Sequence, residues 1–209
     1  NSMNEYLILV DDKDNVIGYS EKMKAHIEKL RHRAFSIFIF DWNTKRMLLQ
    51  KRAYGKYHSG GLWTNACCSH PRKEESMEDC LNERIREELG LKTDFYIKDP
   101  EKCDNLYGKK DVIYRCGKFS YFSDYGDVCE NEIDYVFLYC PDGSIDWDIT
   151  SFNKQEVAEL KWVTIEELKK WIEINPNNFT TWFRPAFELA YNTLCTQARK
   201  KNLFLDNYM

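Results

Sequence analysis

The chain has 209 residues, enough for one domain with a substantial core and short for two. Hydrophobic residues at 43% and aromatics at 15% exclude an intrinsically disordered chain. A formal net charge of −4 excludes capture of nucleic acid or anionic membrane by overall charge, so an anionic ligand needs a local basic patch.

No apolar run approaches the roughly 20 residues that span a bilayer. The start of the chain lacks the basic and apolar regions of a signal peptide, and Asn1-Ser2 before Met3 reads as an expression remnant. Residues 6–10 form an apolar run ending in Asp11-Asp12, and with residues 15–19 they predict a hairpin. Residues 21–30 mix charge with apolar positions at helical spacing. Residues 34–40 and 46–52 are strand-like and joined by Asp41-Trp42-Asn43-Thr44, which predicts a second hairpin. Residues 76–89 are the clearest helix, with Gly90 where a C-cap glycine belongs.

Beyond it, residues 99–110, with Cys103, read as a mobile excursion. Strands follow at 112–122, 133–139 and 159–163. Thr164 and Glu167 have capping-box spacing and open a helix to Ile174, and a last helix spans 184–200. Strands interleaved with few helices predict an α+β fold, with a mixed sheet sandwiched between helices in a single domain over residues 1–209. The eight cysteines, at 67, 68, 80, 103, 116, 129, 140 and 195, contain no CxxC pair. Free thiols in a cytoplasmic protein are expected, several of them acting as small buried hydrophobes.

Three of the four histidines, His26, His32 and His70, combine with Glu130-Asn131-Glu132 to form the most informative pattern. Imidazole plus carboxylate suits Zn²⁺, Mn²⁺ or Fe²⁺. His26 and His32 are six residues apart. That is about 240° around a helix, so one helix cannot aim both at one ion, and a break with His32 entering a strand is required. Glu130 and Glu132 share a face if they lie in a strand. Acids also mark both ends of the 76–89 helix, with Glu75 before it and Glu87-Glu88 closing it.

The spacing from Glu75 through Glu87-Glu88-Leu89-Gly90 resembles the Nudix box, with two departures. The Arg-then-Glu pair is reversed as Glu83-Arg84, and the leading Gly is Ser69. Gly60-Gly61-Leu62-Trp63 followed by Thr64-Asn65-Ala66-Cys67-Cys68-Ser69-His70-Pro71 closely resembles the type I isopentenyl diphosphate isomerase family. His32-Arg33-Ala34-Phe35-Ser36, Glu130-Asn131-Glu132-Ile133-Asp134-Tyr135 and Trp182-Phe183 are similar to it in the same order.

The resemblance implies a Nudix-like fold with a degenerate box and a metal held by His26, His32, His70, Glu130 and Glu132. It implies proton transfer by Cys68 and Glu132, with Tyr121 assisting Glu132; Cys67 would be a buried neighbour. Lys22, Arg52, Lys56 and Arg84 would contact the diphosphate, Glu88 would hold a bridging Mg²⁺, and Trp182 would face the hydrocarbon. The ion at the His/Glu site would be Mn²⁺, Zn²⁺ or Mg²⁺. Moving a double bond inward needs one proton added and another removed, in a site that excludes water from a carbocation-like intermediate. A thiol beside a cation can hold a lowered pKa. The expected partner is a small allylic or homoallylic diphosphate, bound by a monomer without nucleic acid or membrane. A Nudix pyrophosphohydrolase and a non-catalytic, metal-stabilised binding module are the alternatives. A hydrolase fits less well with the reversed Glu83-Arg84 pair and has no evident use for Cys68.

Overall fold

The computed structural model describes residues 5–102, 111–141 and 148–201. Most of the predicted excursion, Cys103 included, lies outside them. The elements in chain order are β1 (Tyr6–Val10), β2 (Val16–Glu21), α1 (Lys22–Ile27), β3 (His32–Asp41), β4 (Arg46–Arg52), β5 (Trp63–Thr64) and β6 (Cys67–Ser69). There follow α2 (Met77–Leu89), β7 (Phe95–Lys98), β8 (Asp111–Asp124), β9 (Cys129–Tyr139), β10 (Val157–Thr164), α3 (Ile165–Ile174) and α4 (Phe183–Lys200). The ten strands form one mixed sheet, in which β3–β9 and β7–β8 are parallel and β8–β9 antiparallel.

Side-chain alternation along β3 and β9 builds two cores from one sheet. Phe38, Phe40, Val136 and Leu138 point to one side, where α4 covers them with Phe183, Phe187, Ala190 and Leu194. Phe35, Ile37, Ile39 and Phe137 point to the other, where α2 packs Leu81, Ile85 and Leu89. Each such buried Phe, Leu, Ile or Val side chain stabilises the fold by about 1.5–3 kcal/mol relative to exposure. The sheet is therefore sandwiched between helices, as the alternation of elements predicts.

Helix α2 starts at Ser76, whose side chain accepts from the Asp79 amide, and stops at Gly90 in the left-handed conformation (φ 70°). Thr164 and Glu167 form the full capping box that opens α3.

Two expectations need correction. The helical pattern over 21–30 yields a helix only at Lys22–Ile27, because Lys29 turns left-handed (φ 60°) and sends the chain into β3. The second hairpin is zipped only at its tip, through Phe40 opposite Met47 and Asp41 opposite Arg46. Away from the turn, β4 pairs with β10, while β6 occupies the edge of β3. Long-range partners thus override the local hairpin.

Candidate active site

Strand parity sets the first part of the site. Glu130 and Glu132 lie two apart at the start of β9, on one face, and both are buried. The parallel register places His32, the first residue of β3, directly opposite Glu132. His26 arrives from the last turn of α1, fixed by its Nδ1 against the Lys22 carbonyl at 2.6 Å. His70 follows β6. The ligand atoms of His26, His32, His70, Glu130 and Glu132 all lie within 4.8 Å of one another.

Glu132 Oε2 is 2.7 Å from His70 Nε2 and 3.2 Å from His32 Nε2. Glu130 Oε1 is 2.6 Å from His26 Nε2, whereas buried Oε2 makes no hydrogen bond among the described residues. Five deprotonatable donors converge on one point, and one carboxylate oxygen is orphaned there. That donor set fits a divalent cation.

The electrostatics of the cluster follow from burying two carboxylates together. Burial and the Glu130 charge push Glu132 up to about 8. Burial also works against charge on Glu130, but the polar groups of Glu132, His26, His32 and His58 around it hold it well below the usual carboxylate range. Burial disfavours the His32 imidazolium, yet the Glu130 and Glu132 carboxylates beside it lift it to about 10. At His70 burial wins and lowers the imidazole to about 3.

Cys68 belongs to β6 opposite Ser36 of β3. Its thiol reaches Asn65 Oδ1 at 3.1 Å. The two N–H bonds of the Asn65 amide go to the Ile37 and Cys67 carbonyls, so Oδ1 is the end that faces the sulfur. The Ser36 hydroxyl is 3.9 Å from the sulfur and donates to Asp134 at 2.8 Å. The expectation of a thiol acidified by a neighbouring cation does not hold. Burial and the Asp134 and Glu88 carboxylates push Cys68 up to about 12, against the lowering influence of Arg52 and the Trp182 indole N–H. Among the described residues that N–H completes no hydrogen bond of normal geometry. Cys67, next to it, is fully buried in the α2-facing core.

The Tyr121 hydroxyl donates to Glu132 Oε1, since the antiparallel register sets these two residues opposite each other. Burial and the Glu132 charge keep the phenol well above its ordinary pKa. Trp182 is buried, with its ring 6.1 Å from that of Tyr121, and carries the Arg52 guanidinium over its face at 5.3 Å.

Lys22, Arg52, Lys56 and Arg84 line the same cleft as Cys68, Tyr121, Glu132 and Trp182. This basic patch forms in a chain of acidic balance. Its members are neutralised in part: Lys56 pairs with Glu156 at 2.5 Å, and Arg84 with Glu87 at 2.7 Å and Glu88 at 3.2 Å. Burial, reinforced by Lys56, lowers the Lys22 ammonium. Glu88 also accepts from Gln50 at 3.0 Å, and each of its oxygens keeps a lone pair for a cation.

Among the residues of this cleft to which sequence reasoning gave no role are Ser36, Tyr57, His58, Asp134 and Glu156. Ser36 and Asp134 sit inside quoted motifs but were read only as markers. Tyr57 and His58 lie in the connection after β4, and their signal was faint: an uncommitted histidine between the basic residues and the Gly60-Gly61 turn. His58 Nε2 is 2.8 Å from Glu130 Oε1, and the Tyr57 hydroxyl is 3.3 Å from the same oxygen.

The NUDIX domain family matches residues 30–183. An isopentenyl-diphosphate Delta-isomerase of Burkholderia multivorans is 40% identical over 188 residues, covering 90% of this chain and 94% of its own. Isopentenyl-diphosphate Delta-isomerase 2 of Aromatoleum aromaticum is 38% identical, covering 86% of this chain and 83% of its own. Among solved structures, DR0079 from Deinococcus radiodurans aligns with a TM-score of 0.56 at 17% identity, over 81% of this chain and 90% of that one. A MutT NUDIX hydrolase from Burkholderia pseudomallei aligns at 0.52 with 18% identity, over 76% and 97%. The two structures share the fold, and the sequence relatives share far more. The chain therefore belongs to the NUDIX family and, within it, to the isopentenyl-diphosphate Delta-isomerases.

Proposed function

We propose that this chain interconverts isopentenyl diphosphate and dimethylallyl diphosphate, the activity its curated relatives are named for. The observation that carries the reading is one cleft lined by a thiol, a hydroxyl-bonded buried glutamate, an indole and four basic side chains. The reaction adds a proton to the terminal methylene carbon and removes one from the carbon next to the CH₂–O group. There is no net redox change and no hydrolysis.

Cys68 and Glu132 are the two proton-transfer groups, each an acid in one direction and a base in the reverse. The raised pKa of the thiol suits an acid that keeps its proton at neutral pH until the alkene is in place. Tyr121 holds Glu132 Oε1 and assists its transfer. Trp182 offers its face to the positive charge that develops on the hydrocarbon, an interaction of roughly 0.5–2 kcal/mol. Lys22, Arg52, Lys56 and Arg84 bind the diphosphate, the arginines by their planar forks and the lysines as point charges.

His26, His32, His70, Glu130 and Glu132 would hold Mn²⁺, Zn²⁺ or Mg²⁺, and Glu88 a Mg²⁺ shared with the diphosphate. Such ions would supply positive charge that orients and tunes the site carboxylates and neutralises the phosphates. The reading takes the protein as a monomer with one domain across residues 1–209. The seven described cysteines are free thiols, the state a reducing cytoplasm maintains. Among the described residues no helix is long and apolar enough to cross a membrane.

The test is to incubate the protein with isopentenyl diphosphate and Mg²⁺ and follow products by NMR. Dimethylallyl diphosphate should appear without phosphate release. Release of phosphate instead would identify a pyrophosphohydrolase and overturn the reading.

A further inference from the structure

Each of the two site carboxylates has one oxygen bonded to a group outside the five-residue set. On Glu132, Oε2 faces His32 and His70 while Oε1 takes the Tyr121 hydroxyl. On Glu130, Oε2 is the bare oxygen, 3.7 Å from His32 Nε2 and 3.9 Å from His70 Nε2. Its Oε1 collects His58 Nε2 at 2.8 Å and the Tyr57 hydroxyl at 3.3 Å, besides His26 at 2.6 Å. Both carboxylates thus take groups outside the five-residue set on Oε1; on Glu130 that oxygen also lies beside His26, which leaves Oε2 bare between His32 and His70. Tyr121 ties Oε1 of Glu132, and His58 ties Oε1 of Glu130.

The His58 ring is fixed on every side. It is buried, its Nδ1 is 3.0 Å from the Ser59 hydroxyl, and it stacks on Tyr125 at 4.4 Å with an interplanar angle of 4°. It meets Trp182 edge-on at 5.9 Å and Tyr57 edge-on at 4.6 Å. A carboxylate only accepts, so Nε2 carries the hydrogen and Nδ1 accepts from Ser59. In that tautomer Nε2 is a donor to Glu130 and has no lone pair for an ion.

We infer that His58 is a positioning residue for Glu130: its Nε2–H bond holds Oε1, so that the bare Oε2 is left facing His32 and His70 where it would serve a cation, and its stacked ring ties the five-residue cluster to the aromatic wall formed with Trp182. The inference rests on the metal-binding reading of the five-residue cluster, which it deepens. Outer partners of metal ligands characteristically change metal affinity about 10–100-fold when lost.

The test measures Mn²⁺ affinity by competition with a chelator, which needs no turnover. His58→Phe keeps the ring between Tyr125 and Trp182 but removes the donor; Mn²⁺ should bind about 10–100-fold more weakly. His58→Gln restores an N–H donor and should recover most of that loss, which a purely space-filling role would not produce. Unchanged affinity in His58→Phe overturns the inference, as does failure of His58→Gln to improve on it. Should His58→Phe not fold, Ser59→Ala releases the Nδ1 acceptor bond and should weaken Mn²⁺ binding severalfold; wild-type affinity there is equally fatal. Isomerase assays of the unmutated protein stand apart. An inactive wild type with the expected affinity losses sinks the proposed function alone, and an active wild type with no losses sinks only the role of His58.

Discussion

At the scale of single residues, Cys68 shows how surroundings redirect a side chain. The sulfur is held by Asn65 and walled by carboxylates, so burial keeps it a thiol rather than a thiolate. Cys68→Ala should reduce kcat for isopentenyl diphosphate by about 10²–10⁴-fold, the usual worth of a positioned acid or base. Metal content, measured on the same preparation by mass spectrometry, should be unchanged, because the sulfur is not among the five clustered donors. Retained turnover would remove the thiol from the mechanism. Cys67 could not take its place, since it is fully buried in the α2-facing core. The sequence placed the two cysteines side by side, and the alternation of a three-residue strand decided which one reaches the cleft.

At the scale of elements, α2 must end where it does. It carries Arg84 and Glu88 into the cleft on one side and Leu81, Ile85 and Leu89 into the core on another. Gly90 stops it with a positive φ, and a Cβ there would come within 2.4 Å of Ser151 Oγ and 2.6 Å of the Ser151 carbonyl. Gly90→Ala combines backbone strain with that clash and should destabilise the protein by more than about 1 kcal/mol. A denaturant titration checks it; an unchanged midpoint would mean that the chain after α2 relaxes freely. Both helix signals, Ser76 with Gly90 and Thr164 with Glu167, were legible because caps are local chemistry. The end of α1 was not. Its apolar spacing continues past Ile27, and what stops it is the turn at Lys29, whose carbonyl accepts from Asn131 of β9 more than a hundred residues away.

Across the whole molecule, the buried charge cluster ties stability to pH. His32 and Glu132 are both raised in the folded state, so each favours folding below its unfolded pKa and loses that contribution as pH climbs to its folded value. Between pH 6.5 and about 8 both losses run together, and the metal-free protein should melt at progressively lower temperature. A bound cation needs the same groups deprotonated, so the stabilisation produced by added Mn²⁺ should grow across that window. Thermal melts with chelator and with Mn²⁺ at three pH values test both slopes. A metal-free melting temperature that rises with pH would show that other groups control the titration. Below 6.5 the sign reverses for His70, which is lowered to about 3 and loses its contribution as acid protonates the unfolded chain.

The sequence by itself determined what is periodic or local. The hairpin of β1 and β2, the caps of α2 and α3, and the placing of Glu130 and Glu132 on one face of a strand are all set by residues a few positions apart. Long motifs also identified the family, because many matches in the same order are specific even when no single one is. Only the tertiary structure decided that β3 and β4 part company beyond their turn, that α1 stops at Ile27, and that His58 joins Glu130. Those outcomes depend on which distant strand satisfies each backbone edge and which ring fills each remaining space. No short window of sequence contains that competition.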